Sequence, residues 1–76
     1  MDSKHNEKYI QLGLNIAYYR KLNGLNQLEL AERVGISRTH MSNIEAPNME
    51  TAVSLEVLFN IADVLNVPVV KLFEIR

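Results

Sequence analysis

Apolar residues recur along this chain at helical intervals, and small or polar residues punctuate them. Tyr9, Leu12, Ile16 and Tyr19 follow at steps of three, four and three, which puts them on one face of a helix over about residues 7–23. Gly24 supplies the left-handed residue that ends such a helix. Asn26 then stands where a cap belongs, with Glu29 three residues later, so that each side chain can satisfy a backbone donor the helix leaves free. A second helix over residues 27–34 follows, with Leu30, Ala31 and Val34 as its inward stripe and Gly35 breaking it. Ser37 caps a third helix over residues 38–45, whose Met41 and Ile44 turn inward with Ile36 from the turn. Pro47 cannot continue a helix, so residues 46–53 are a loop. Ser54 caps a fourth helix carrying Leu55, Leu58, Ile61, Ala62 and Leu65 at helical spacing, and Asn66 tolerates a left-handed exit. After Pro68, residues 69–73 form a last short helix of about one and a half turns. No stretch alternates in the manner of a strand. The predicted class is all-α, a compact five-helix domain.

Length and composition narrow the picture. A chain of 76 residues buries only about 60% of the surface its unfolded form exposes, so one small domain over residues 1–76 is expected, with 1–6 as a flexible N-terminus and no separate ligand-sensing domain. Cysteine is absent, which removes disulfides and thiolate metal sites and fits a reducing cytoplasm. The first residues lack the apolar core of a secretory signal, and no run approaches the roughly 18 apolar residues of a membrane span. A cytoplasmic protein without membrane attachment is expected. The formal net charge of -1 argues against a nonspecific polyanion binder. Its distribution is uneven. Lys4, Lys8, Arg20 and Lys21 outnumber Asp2 and Glu7 in the first third, whereas Glu50, Glu56, Asp63 and Glu74 outnumber Lys71 and Arg76 after Glu45. Positive potential belongs to the first helix and Arg38.

Two short helices joined by a tight glycine-containing turn, the second rich in outward polar side chains, form a helix-turn-helix arrangement. Gln27, Leu30, Ala31, Gly35, Ile36 and Ser37 stand at the spacing Gln-x-x-Leu-Ala-x-x-x-Gly-Ile-Ser, and Ile44-Glu45 closes the third helix. With the flanking helices, this resembles the lambda-repressor/Cro-like family, also called the XRE family, over about residues 12–73. The resemblance implies a sequence-specific regulator of transcription, a repressor or autoregulator. It would bind a two-fold symmetric double-stranded DNA operator as a homodimer, with helix 3 in the major groove and no cofactor.

The residues support a groove reader independently. With Met41 and Ile44 inward, a turn of about 100° per residue carries Thr39 almost diametrically outward, with Ser42 and Asn43 close to it and Arg38 at the helix start. Arginine pairs bidentately with guanine, asparagine with adenine, and a threonine methyl rests on a thymine methyl. The base-contacting positions of the resembled family fall on Arg38, Thr39 and Asn43. Gln27, at the start of helix 2, matches a phosphate contact, where free N–H groups and the helix dipole favour an anion. Ser37 and Ser42 add hydroxyl donors, and His40 lies to the side, against a backbone or a neighbouring base. Arg20 and Glu45 match a family pair in which an arginine of helix 1 orients the recognition helix and leaves its guanidinium near a phosphate. Two departures stand out. The loop 46–53 carries Glu50 and lacks the family's glycine and basic residues, and Leu28 is apolar where a polar residue is usual.

Plainer readings compete with each assignment. Arg38, Thr39 and Asn43 can be a solvated face, Arg20 and Glu45 a structural ion pair, and Gln27 ordinary helix-start decoration. His5 and His40 are far apart, with no carboxylates at ligand spacing, so no metal site is expected. No nucleophile elbow, phosphate loop or paired carboxylates suggests an enzyme. Tyr18, beside Tyr19, reads as an edge residue rather than a stacking platform. Val67, Val69, Val70, Leu72, Phe73 and Ile75 are too many apolar residues for one short helix to hide. A homodimer through helices 4 and 5, using Val69, Val70, Leu72, Phe73 and Ile75, is therefore expected, against the simpler possibility that they cap the monomer core. A rival from another class is a protein-interaction module, such as an antitoxin, whose partner docks on the acidic loop and apolar C-terminus.

Overall fold

Caps and left-handed exits divide this chain into its elements. The structure, a computed structural model, describes residues 4–46 and 52–75. Helix α1 is Asn6–Leu22, α2 Gln27–Val34, α3 Arg38–Glu45 and α4 Leu55–Leu65, followed by a 3₁₀ helix, Val69–Phe73. Asn26 accepts the Glu29 amide at 2.7 Å while the Glu29 carboxylate accepts the Asn26 amide at 2.9 Å, which closes the reciprocal cap of α2. Ser37 and Ser54 cap α3 and α4 by accepting the amides of His40 and Val57. Each such cap is worth about 1 kcal/mol.

The exits share one geometry. Gly24, Gly35 and Asn66 have φ of 71°, 89° and 57°, and the amide after each reaches back to a carbonyl of the last turn: Leu25 to Arg20, Ile36 to Ala31, Val67 to Ala62. At Gly35 this turns the chain sharply enough for α3 to pack on α2. Helix α1 runs from Asn6 to Leu22, one residue earlier at each end than its apolar spacing predicts, and Gly24 takes its expected conformation.

The core lies where the helices meet. Leu12 and Ile16 of α1, Leu30, Ala31 and Val34 of α2, Met41 and Ile44 of α3, and Leu58, Ile61, Ala62 and Leu65 of α4 are buried together. Burial of each larger side chain contributes about 1.5–3 kcal/mol. Tyr19, Ile36, Val67 and Val69 pack half-buried around them, whereas Leu55, counted in the α4 repeat, is 64% exposed because it lies in the first turn.

The last element departs from expectation. Among the described residues there are four α-helices, and the fifth is a 3₁₀ turn of five residues rather than another α-helix. Leu72, expected at a dimer interface, is 0% exposed and belongs to the core. The segment docks on α1, where Asn15 donates to the carbonyls of Leu72 at 3.0 Å and Glu74 at 2.7 Å. Val69 is half-buried against the core, while Val70, Phe73 and Ile75 remain exposed. Pro47 and Glu50, on which the loop expectation rested, lie outside the described residues, as do residues 1–3 of the expected N-terminal arm.

Candidate nucleic-acid interface

Helix α3 has two unlike faces. Met41 and Ile44 are buried, at 0% and 4% exposure, while Arg38 and Thr39 are exposed and Ser42 and Asn43 half-exposed. Thr39 is exposed, as its place in the helical repeat opposite Met41 and Ile44 predicts. His40 is half-exposed beside them. Its amide is held by the Ser37 cap at 3.0 Å. Because that contact uses Ser37 as an acceptor, the hydroxyl proton stays available to donate outward.

The helix is fastened from behind. Arg20 of α1 is 8% exposed and Glu45, at the end of α3, 6% exposed. The Arg20 Nε and Nη2 atoms donate to the two carboxylate oxygens of Glu45 at 2.8 and 2.9 Å, a bidentate pair. Nη1 donates to the Leu25 carbonyl at 2.8 Å, which fixes the guanidinium plane against the α1–α2 turn. Of five guanidinium N–H groups, three are used by these contacts. The same Glu45 oxygen that meets Nη2 also accepts from Gln27 Nε2 at 3.0 Å. One carboxylate thus ties together α1, the start of α2 and the end of α3. Gln27 retains a second amide hydrogen, and its Nε2 can donate to an anion while still holding Glu45.

Arg20, Asn26, Gln27, Leu28 and Arg38 line one open concavity beside the N-termini of α2 and α3. Two arginines and a glutamine surround the free amides of a helix start, an arrangement suited to a phosphate group. Leu28 is 48% exposed at its rim, the one apolar side chain in this set.

The structure therefore gathers Arg20, Gln27 and Arg38 at one concavity, ties Arg20 and Gln27 to Glu45, and carries Ser37, Thr39, His40, Ser42 and Asn43 on α3 and its cap. Of the C-terminal set, Leu72 is enclosed in the core. The sequence pattern did not disclose the Gln27–Glu45 bond or the part played by Asn15. The one available signal for Asn15 was a polar residue on the inward face of α1, beside Ile16. Among the described residues no cluster of three or more histidines, cysteines or carboxylates has metal-binding geometry. No described helix is long and apolar enough to cross a membrane.

Comparison with known proteins agrees with this architecture. The helix-turn-helix family matches residues 16–72. The HTH-type transcriptional regulator SinR of Bacillus subtilis is 36% identical over 63 residues, which cover 83% of this chain and 56% of SinR. The control protein C.SmaI of Serratia marcescens is 39% identical over 61 residues, covering 80% and 70% of the two chains. The crystal structure of SinR, the master regulator for biofilm formation, in complex with DNA superposes with a TM-score of 0.76 at 36% identity, covering 83% of this chain and 98% of that one. The chain spans about half the length of the SinR regulators it matches.

Proposed function

We propose, from the premise that this chain belongs to the helix-turn-helix family, that it is a sequence-specific double-stranded DNA-binding regulator of transcription. Helix α3 enters the major groove, where every base pair presents its own donor and acceptor pattern. Arg38, Thr39 and Asn43 read base edges. Gln27, Ser37, His40, Ser42 and Arg20 meet the phosphate backbone, and Arg20 with Glu45 sets the angle of α3. The observation that carries this reading is the pairing of an exposed polar face on α3 with a buried ion pair behind it.

The regulator works as a homodimer on a two-fold symmetric operator in the cytoplasm, each copy presenting one α3 to half-sites about 34 Å apart. Exposed Val70, Phe73 and Ile75 support self-association, with Val69 at the edge and Leu72 excluded by its burial. Leu55 and Phe59, four apart on α4, are further exposed apolar side chains. Repression by occlusion suits a domain whose functional face is a groove reader.

Selection from random duplexes, followed by titration of the selected site at several salt concentrations, tests the proposal. Tight binding whose log affinity falls linearly with log salt is expected. Arg38→Ala and Asn43→Ala should each weaken the selected site by about 1–3 kcal/mol and relax preference at one base pair. If both variants bind as wild type does, the base-reading assignment fails. Sedimentation of Phe73→Asp distinguishes a dimer from a monomer whose apolar C-terminus serves another protein.

A further inference from the structure

We propose that Gly13 is a positioning residue for α3, its missing side chain setting how closely the recognition helix lies against α1 and hence where Arg38, Thr39 and Asn43 stand. The inference rests on the function proposed above and names a further residue on which operator choice depends. Gly13 is buried in the middle of α1, where glycine weakens a helix relative to alanine. Backbone freedom is not its purpose, since the glycines with positive φ are Gly24 and Gly35.

Close approach is. A Cβ at position 13 would overlap the carbonyl oxygen of Ile44 and lie 3.2 Å from the Cα of Glu45 and 3.3 Å from the carbonyl carbon of Ile44. All three are backbone atoms in the last turn of α3, so no change of rotamer relieves the overlap. The final carbonyls of a helix have no partner within it, and the absence of a Cβ at position 13 leaves the room that the Ile44 carbonyl occupies.

Gly13 and Arg20 are seven residues apart, two turns along one face of α1. Arg20 holds the end of α3 by its side chain, through Glu45. Gly13 sets the separation of the two backbones at the same end. Asn43 immediately precedes Ile44, and α3 has only eight residues, so it moves as a rod. An alanine at position 13 must push or tilt that rod, and hydrogen bonds to base edges tolerate displacements of only a few tenths of an ångström.

The test compares Gly13→Ala with Gly24→Ala. Gly24 has a φ of 71° and nothing within 4 Å of a built Cβ, so its substitution strains the backbone without displacing a helix. For wild type and both variants, affinity is measured for the duplex that wild type selects and for a scrambled duplex. An excluded osmolyte is added so that folded fractions, followed by circular dichroism, are equal. Gly13→Ala should lose roughly ten-fold or more of the ratio between the two affinities, and Gly24→Ala should keep it. Equal ratios in the two variants would overturn the inference. So would a Gly13→Ala chain that stays unfolded where Gly24→Ala folds, because the core rather than the placement of α3 would then require the close approach. A wild-type protein that selects no sequence would instead refute the proposed function, and the inference with it.

Discussion

Helix α1 buries two polar side chains, and they hold two different neighbours. Asn15, at 0% exposure, faces the C-terminal segment, donates to the carbonyls of Leu72 and Glu74, and accepts from Gln11 at 3.0 Å. Arg20, one and a half turns later, faces α3 and donates to the Glu45 carboxylate. A neutral amide costs little to bury once its hydrogen bonds are made, whereas an ion pair must overcome the desolvation of two charges. Asn15 grips backbone and is indifferent to the side chains it holds in place. Arg20 grips the Leu25 carbonyl beside its own helix, but it holds α3 through one side chain, Glu45, and through that the amide of Gln27. The C-terminal segment is thus attached by an apolar plug, Leu72, and an amide. The side proposed to read DNA is attached by a buried ion pair, which well-packed apolar residues often match in stability, so the proposed role of this pair is orientation.

The largest effect should come from breaking the charged attachment on one side only. Glu45→Ala leaves a buried, unpaired guanidinium and should destabilise by about 3–5 kcal/mol in urea denaturation. Arg20→Met combined with Glu45→Met removes both charges and should recover most of that loss, yet leave affinity for the selected operator well below wild type. A double variant that binds normally would dissolve the distinction between the two anchors. Leu72→Ala comes next, at about 2–5 kcal/mol, while Phe73→Ala, one residue on and 53% exposed, should stay within about 0.5 kcal/mol. Both are compared in melts dilute enough to keep the chain monomeric, because loss of an interface side chain lowers apparent stability where a dimer forms; comparable losses there would place Phe73 in the core and remove the support for a dimer surface.

Asn15→Leu is the matching test of the neutral anchor. It leaves the carbonyls of Leu72 and Glu74 without their donor and should cost about 1–3 kcal/mol. Hydrogen exchange should accelerate chiefly in residues 69–75, with α3 little affected. Accelerated exchange spread evenly over the molecule would mean that the segment is not a separately fastened unit.

What the sequence disclosed divides along the same line. The caps Asn26, Ser37 and Ser54 and the left-handed exits Gly24, Gly35 and Asn66 were legible because each is settled by residues within one turn of itself. The outward face of α3 followed from two buried positions and the helical repeat. Leu72 was misplaced because an apolar residue in a short C-terminal helix has no local mark that distinguishes core from interface. Its burial depends on α1, and the Asn15 bonds that accompany it span 57 and 59 positions of sequence. The 3₁₀ geometry of residues 69–73 was equally hidden, since one and a half turns contain too few residues for a period to declare itself. Arg20–Glu45 was found through resemblance to a family rather than through spacing. Gln27–Glu45 was not found, because one glutamine amide can hold a carboxylate and face a phosphate at once.

The smallest effect discriminates between the two regions by chemistry alone. Ser37 and Ser54 cap α3 and α4 in the same way, accepting the third helical amide at 3.0 and 3.2 Å from an extended backbone. Alanine at either position should cost about 1 kcal/mol of stability, so the two variants should melt alike. Their DNA affinities should differ. Ser37 begins the helix proposed to read the groove, and its hydroxyl keeps a proton to donate while its oxygen keeps the cap. Ser37→Ala should weaken binding to selected and scrambled duplexes by similar factors, as loss of a backbone contact does, whereas Ser54→Ala should leave both unchanged. Weakening confined to the selected duplex would mean instead that Ser37 reads a base or aims the residues that do.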